Sequence, residues 1–310
     1  MTGSASWRLE DLPDQSGRTF LVTGVTSGLG LHTATELARK NARVILAART
    51  PAKLADTAKS IAEQAPGAML EQLRVDLADL SSVRQAAAEA KQLGPIDVLV
   101  NNAGVMATPR QRTVDGLDLQ MATNHFGPFL LTGLLLPQLL ESGDARVVTV
   151  ASLFHNYARS APLDDPRADS GHYWRWHVYA QSKLSNLLFT YELDRLARQG
   201  GLPLKALAAH PGYSATHLIS TGQTGRGQGG LADLWNVAAK VTAQPAAMGA
   251  LPQLMAATAD LPGATYVGPD GLQQLRGYPR IVGSTRLSRN EKVQRQLWEL
   301  SEETVGLRWP

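Results

Sequence analysis

TFLVTGVTSGLGLHTATELARKN, residues 19–41, decides the fold. Residues 19–24 are β-rich and run into a glycine turn, and from Leu31 the apolar positions fall at helical spacing. Between them, Gly24, Gly28 and Gly30 remove side chains where the backbone must turn tightly and approach a ligand. The helix that follows offers unpaired N–H groups and the positive end of its dipole to a pyrophosphate. A strand, a glycine turn and a helix in that order predict a dinucleotide cradle. No Gly-Lys-Ser or Gly-Lys-Thr triplet closes the turn, so it is not a Walker-type loop.

The same alternation continues along the chain. Residues 42–48 read as a second strand, 51–64 as a helix opened by proline, 68–77 as a strand, and 81–93 as a helix. Residues 96–104 read as strand and turn, 146–152 as a fifth strand and 202–212 as a sixth. A helix over 231–241 and a late strand over 264–268 complete the sheet. Strands alternating with helices predict an α/β fold, a Rossmann-type doubly wound parallel sheet, with ligands beyond the strands' carboxyl ends. No internal repeat or linker breaks the pattern. The 310 residues are expected to form a single elaborated domain, with a cofactor half over about 15–150 and a catalytic and substrate half over about 151–310.

Composition narrows the function classes. Hydrophobic content of 44% with 18% charged residues is that of a globular protein with a large core. The net charge of +3 and the lack of any dense Lys/Arg run argue against nucleic acid as a partner. No cysteine is present, which excludes disulfides, thiolate zinc sites and cysteine nucleophiles. The start, MTGSASWRLEDLPDQ, has neither the basic tip nor the apolar run of a signal peptide, and a cytoplasmic location is expected. The most apolar stretch, 128–140, is too short for a membrane span and contains two prolines, so it predicts a buried helix and no membrane anchor. The histidines form no HExxH or other compact ligand set, and no metal is expected. No GxSxG nucleophile elbow is present.

The second strand ends Ala47-Ala48-Arg49, where an NAD site commonly holds a carboxylate against the adenosine ribose. With Ala48 at the acidic position no charge repels a 2′-phosphate, and Arg49 stands ready to pair with one. NADP(H) is therefore expected over NAD(H). Asp76, after the third strand, is a candidate partner for the adenine amino group, or a cap for the turn before Ser81. In NNAG (101–104), Asn102 can satisfy backbone groups where the sheet opens. Ala103 and Gly104 let a ribose or nicotinamide come close.

Taken in order, TGVTSGLG (23–30), NNAG (101–104), Asn124 in ATNHFG, Ser152 in VTVAS, Tyr179 and Lys183 in YAQSK, and Pro211-Gly212 followed by Thr216 resemble the short-chain dehydrogenase/reductase superfamily. The likeness spans about residues 15–270. It implies a catalytic centre of Ser152, Tyr179 and Lys183 with Asn124 as fourth member, the asparagine anchoring a water that joins the lysine to solvent. It also implies a cofactor set of Gly24, Thr26, Ser27, Gly28, Leu29, Gly30, Arg49, Asp76, Leu77, Asn102, Ala103, Gly104, Tyr179, Lys183, Pro211, Gly212 and Thr216.

The chemistry asks for the same residue types. A free phenol, with a pKa near 10, is a poor base at neutral pH, and an adjacent ammonium favours its ionised form. Tyr179 and Lys183, four apart, share a helix face. Tyr179 would exchange a proton with the substrate oxygen, Ser152 would hydrogen-bond that oxygen, and Lys183 would hold the ribose hydroxyls.

Two traits resemble the branch that holds the retinol dehydrogenases and the WW-domain oxidoreductase. Tyr179 follows Ser152 by 27 positions, a longer gap than is usual, and the tail over 268–306 has that branch's GP…G…LW…SE…G ending. The insertion carries Phe154, Tyr157, Tyr173, Trp174 and Trp176, which predict an apolar substrate wall; Trp174 and Trp176 could equally anchor the loop. His155 and His177 are candidates for the substrate entrance or for plain surface positions. The glycine-rich stretch 220–230 is a candidate lid. The expected activity is NADP(H)-dependent interconversion of an alcohol and a carbonyl by hydride transfer on a bulky apolar substrate. A non-catalytic NADP(H)-binding sensor on the same scaffold is the alternative. Monomer and homodimer both fit the sequence.

Overall fold

In the computed structural model, which describes residues 6–169, 171–213 and 244–309, the opening stretch forms β1 (Thr19–Thr23) and α1 (Gly28–Arg39). The helix begins at Gly28, three residues before its apolar spacing becomes visible, because the last two glycines of the motif, Gly28 and Gly30, belong to its first turn. There follow β2 (Arg43–Ala48), α2 (Pro51–Gln64), β3 (Met69–Arg74), α3 (Leu80–Ala90) and β4 (Val98–Asn101). Next come α4 (Leu119–Met121), a π-helical segment (Ala122–Phe126), α5 (Gly127–Leu140) and β5 (Ala145–Val150). The chain continues with α6 (Arg175–Gln199), β6 (Leu204–Ala209), α7 (Ala246–Thr258), β7 (Tyr266–Pro269), β8 (Pro279–Ile281) and α8 (Glu291–Val305).

The strands form one sheet in the order β3-β2-β1-β4-β5-β6-β7-β8. All pairings are parallel except β7 with β8. Strand residues alternate between two cores, as a sheet covered on both faces requires. Phe20, Val22, Val44 and Leu46 pack with Leu37 and Ala38 of α1, Leu54 and Ile61 of α2, and Leu251 and Leu254 of α7. Leu21, Ile45 and Leu99 face Val83 of α3, Phe129 and Leu135 of α5, and Phe189 of α6. Each fully buried Leu, Ile, Val or Phe contributes roughly 1.5–3 kcal/mol.

The direction of winding reverses between β1 and β4, which opens a crevice at their carboxyl ends. The glycine turn, NNAG and the residues after β5 and β6 all leave the sheet on that side. The apolar stretch 128–140 is α5, almost wholly buried in the core. Among the described residues no helix is long and apolar enough to cross a membrane.

β3 and β5 are shorter than foreseen, ending at Arg74 and Val150, although the next N–H groups, of Val75 and Ala151, still donate to the Ala48 and Ala209 carbonyls. The late strand β7 lies beside β6, but β8 and α8 had no periodic signal read for them. The helix over 231–241, the lid candidate 220–230 and Thr216 lie outside the described residues.

Candidate functional site

The glycine turn is held by long-range bonds from NNAG. The Asn102 amide donates to the carbonyl oxygens of Thr23 (2.7 Å) and Gly24 (3.3 Å). The Thr23 hydroxyl accepts from the N–H groups of Asn102 and Ala103, both at 3.0 Å. Two of the glycines are enforced by close approach. A Cβ at Gly30 would lie 2.4 Å from the Gly24 oxygen and 2.5 Å from the Asn102 amide nitrogen. At Gly24, with φ of +73°, it would meet the Ala103 backbone at 2.8 Å. Ser27, at the start of α1, makes no capping bond through its side chain, so the first N–H groups of α1 face the crevice without a side-chain cap. That is a donor set suited to a pyrophosphate.

Arg49 is exposed just beyond Ala48 at the end of β2, with no acidic side chain adjoining it in sequence. Asp76 folds back locally: its Oδ1 accepts from the Ala78 N–H at 3.0 Å. That bond and the one from the Asp79 N–H to the Asp76 carbonyl (3.1 Å) close the turn that precedes Ser81, while the helix after it has its own cap. That cap is Asp79, which accepts from the N–H groups of Ser81 and Ser82. Leu77 is buried, and its carbonyl lies 2.2 Å from where a Cβ at Gly127 would sit, a contact that fixes glycine at the start of α5.

Two elements bring Ser152, Tyr179 and Lys183 together. Ser152 follows β5, and Tyr179 and Lys183 lie on one face of α6, each only 5% or less exposed in the case of the last two. The ammonium of Lys183 donates to the Val150 carbonyl at 2.8 Å and lies 5.9 Å from the centre of the Tyr179 ring. Burial pushes the Tyr179 phenol up to about 12, opposed by its hydrogen bond with Ser152. Burial also lowers Lys183 to about 8. Desolvation of the phenolate is the larger effect on Tyr179 in the protein alone. At neutral pH Tyr179 is a buried acid beside a cation.

Asn124 sits in the π-helical segment, a geometry often found at functional positions. Its Oδ1 accepts from the Val105 N–H (2.8 Å), and its amide donates to the Val105 carbonyl and the Ser182 hydroxyl, both at 2.9 Å. It therefore pins the residue just after NNAG. A Cβ at Gly104 would lie 3.0 Å from Asn124 Oδ1 and 3.5 Å from Lys183 Nζ, so that glycine leaves open the space onto which both groups face.

A cavity of about 1410 Å³ joins these parts. Leu29, Asn102, Gly104, Ser152, Tyr179, Lys183, Pro211 and Gly212 line it at the glycine end. Phe154, Tyr157, Tyr173, Trp174, Trp176, His177 and Leu275 line the other end. The volume exceeds the roughly 300–1,000 Å³ usual for one small ligand, as a cofactor and a substrate side by side require. With the bare helix start, the close-approach glycines and the Lys183 ammonium, the crevice fits a nicotinamide dinucleotide.

The aromatic residues divide by role. Phe154 stacks on Trp176 (5.1 Å, 21°) and meets Tyr179 edge-on (5.5 Å). Tyr173 is an anchor: its hydroxyl donates to the buried carboxylate of Asp118 (2.9 Å) and accepts from the Gln120 amide (2.9 Å). Trp174 is largely exposed and anchors nothing by burial. His177 lines the entrance, whereas His155 is buried behind Ser152 and belongs neither to the entrance nor to the surface.

Three polar contributors escaped the sequence reading. Thr23 and Ser182 act through residues distant in sequence. Asn186 shares the Val150 carbonyl with Lys183 at 3.1 Å. Its position, three after Lys183 and seven after Tyr179, is the spacing that places it on their face. Among the described residues no group of three potential metal ligands occurs.

Residues 18–161 match the family model for short chain dehydrogenase. Over its whole length the chain is 35% identical to retinol dehydrogenase 13 of Homo sapiens, covering 90% of that protein. It is 35% identical to polyprenol dehydrogenase of Danio rerio over 98% of this chain and 91% of the relative. A crystal structure of an uncharacterized protein from Mycobacterium Paratuberculosis is 41% identical, superposes with a TM-score of 0.81, and matches 99% of this chain and 100% of that one.

Proposed function

We propose a reaction for this chain from the premise that it belongs to the short-chain dehydrogenase family and is an NAD(P)(H)-dependent oxidoreductase. The reaction is the reduction of a bulky, largely apolar carbonyl compound to its alcohol, with NADPH preferred. The convergence of Ser152, Tyr179 and Lys183 at the junction of the glycine and aromatic ends of one cavity is the observation that carries it.

The cofactor, when bound, supplies the hydride that reaches the carbonyl carbon. Ser152 holds the substrate oxygen by a hydrogen bond, and Tyr179 gives its phenolic proton to that oxygen as charge develops. The high pKa of Tyr179 suits this direction, since the acid form is the one present at pH 7. Lys183, charged below about pH 8, stabilises the phenolate left behind and offers its remaining N–H donors to ribose hydroxyls. Asn124 keeps the Gly104–Val105 turn in place beside them, and the water it would anchor links Lys183 to solvent. Leu29, Thr26, Ser27 and the glycines of the turn cradle the pyrophosphate. Pro211, Gly212 and Thr216 cover the nicotinamide, and Asp76 and Leu77 border the adenine.

Arg49 supports the NADPH preference, as an exposed guanidinium after an alanine pair. The Phe154–Trp176 stack against Tyr179 supports the apolar substrate, because it gives the reacting oxygen an aromatic surround. Two relatives aligned across nearly the whole chain are named for retinol and polyprenol, both apolar alcohols, which supports placing this chain in the retinol dehydrogenase-like branch.

The test is NADPH oxidation followed at 340 nm with matched carbonyl compounds. Long-chain and ring-bearing aldehydes or ketones should exceed small polar ones in kcat/KM by about 100-fold, the worth of burying a few extra methylenes. Equal values, or faster turnover of the small polar set, reject the apolar reading. NADPH binding without turnover of any member would instead favour a sensor.

A further inference from the structure

Behind Ser152 lies a buried polar stack that the reaction above does not use. His155, His210 and Tyr266 are each no more than 2% exposed. The Tyr266 ring touches both imidazoles, edge-on to His155 at 5.7 Å and tilted to His210 at 5.2 Å.

The hydrogen bonds assign each imidazole one tautomer. His155 Nδ1 lies 2.6 Å from the Ser152 carbonyl oxygen. A carbonyl oxygen only accepts, so Nδ1 carries the proton and Nε2 is left as a bare acceptor. At His210 the order is opposite. The Gly212 N–H donates to Nδ1 (3.2 Å), so the proton is on Nε2, which donates to the Gln274 side-chain oxygen at 3.0 Å. Burial holds both rings neutral, with His210 lowered to about 4, in agreement with one proton per ring.

Each ring holds a different wall of the cavity. His155 clamps the backbone of Ser152. His210 ties Gly212, whose φ of +65° and close contact with the Leu275 carbonyl allow no side chain, to the segment that carries Gln274 and Leu275. β7 makes room for this: a Cβ at Gly268 would lie 2.0 Å from His210 Nε2. Packing alone does not account for the choice of residues. His155 Nε2 and the Tyr266 hydroxyl are buried without a partner among the described residues. Leu or Phe would fill the same space without placing polar atoms there.

We infer that His155 and His210 are positioning residues. His155 fixes the backbone from which the Ser152 hydroxyl meets the substrate oxygen, and His210 fixes the Pro211-Gly212 turn against the cofactor. The inference rests on the roles given above to Ser152 and to that turn.

Amides separate this role from mere packing, because Asn places its polar atoms near the Nδ1 position and Gln near Nε2. His155→Gln should lower kcat about 10-fold or more with the NADPH Kd, read by fluorescence titration, within about twofold of the parent. His155→Asn, which keeps a donor toward the Ser152 carbonyl, should recover most of that loss. His210→Gln should raise the NADPH Kd about 10-fold, whereas His210→Asn, which keeps an acceptor for Gly212, should stay within about threefold. Equal losses for Asn and Gln, or no loss in either, overturn the inference for that residue. Ser152→Ala is the reference. A loss there without one in His155→Gln overturns the positioning role and leaves the reaction standing, whereas no loss in Ser152→Ala overturns both. Should a variant not fold, the imidazole nitrogen spectrum of the unaltered protein decides. It should show the Nδ1–H form at His155 and the Nε2–H form at His210, and the opposite assignment at either refutes the role.

Discussion

The glycine end of the cavity and its aromatic end are built from different materials. At the glycine end the surface is backbone: a helix start without a side-chain cap, a turn braced by Asn102, and glycines at positions where a Cβ would strike another part of the chain. At the aromatic end the surface is side chain, and its shape depends on how the insertion between Ser152 and Trp176 is fastened. Tyr173 and Asp118 fasten it from within. Arg110 and Arg112 fasten it from outside, by bonds to Ala168 and to the carbonyls and carboxylate around Asp169. In the proposed reaction the first kind of surface would take any ligand with the right phosphates and ribose, and the second would select by shape. Ser152, Tyr179 and Lys183 stand where the two meet.

The comparison makes graded demands on variants. Tyr179→Phe, at the junction, should lower kcat by about 10²–10⁴-fold, the usual worth of a positioned acid, while NADPH affinity changes little. Loss of binding in step with kcat would show that Tyr179 belongs to the glycine end alone. Arg49→Ala should weaken NADPH by about 10–100-fold and leave NADH nearly unchanged, as loss of a charge-assisted phosphate contact requires. Equal weakening of both cofactors would remove Arg49 from the phosphate site. Trp176→Ala should raise KM for a bulky apolar carbonyl by roughly 10-fold without altering either cofactor's Kd, since the indole stacks on Phe154 at the aromatic end and not at the glycine end. A change in cofactor affinity would mean that the two ends are not separable.

Acid and base should act on different regions. Lys183 loses its proton as pH rises through about 8, so the rate of reduction should fall above that pH, and the limb should be absent from the already slow Lys183→Met. His125 and His210, lowered by burial to about 3 and about 4, take up protons in the unfolded chain near pH 6.5 but not in the folded one. Stability should therefore be complete above pH 6.5 and decline as pH falls toward 4, seen as a falling Tm. A Tm flat across that window would contradict the burial of both rings.

Legibility followed the same division. The glycine end could be read because its chemistry is local: a strand, a turn and a helix stand within 23 residues of sequence, and the missing acid after β2 is visible as Ala48-Arg49. The face shared by Tyr179 and Lys183 could be read because i,i+4 spacing on one long helix carries them together. What stayed hidden was assembled across the chain. His155 and His210 looked like scattered histidines until β5, β6 and β7 brought them to one ring of Tyr266. Two aspartates share the capping before Ser81, Asp76 at the turn and Asp79 at the helix start, and residue type alone does not divide those tasks. The C-terminal helix α8 escaped notice as an element, yet its Trp298 packs with Phe129 and Phe189 and its Ser301 bonds His125 at 2.8 Å. The ends of that helix are marked locally, by Asn290 as its cap and Gly306 in the left-handed region as its stop; its partners, more than a hundred residues earlier, are not.

The most direct measurement follows the hydride itself. NADPH carrying deuterium at the transferring C4 position is incubated with the protein and a bulky apolar aldehyde, and the alcohol is analysed by mass spectrometry. The account predicts deuterium on the carbinol carbon with unaltered protein and almost none with Tyr179→Phe over the same time. Alcohol without label, or labelled alcohol formed equally fast by Tyr179→Phe, would contradict it.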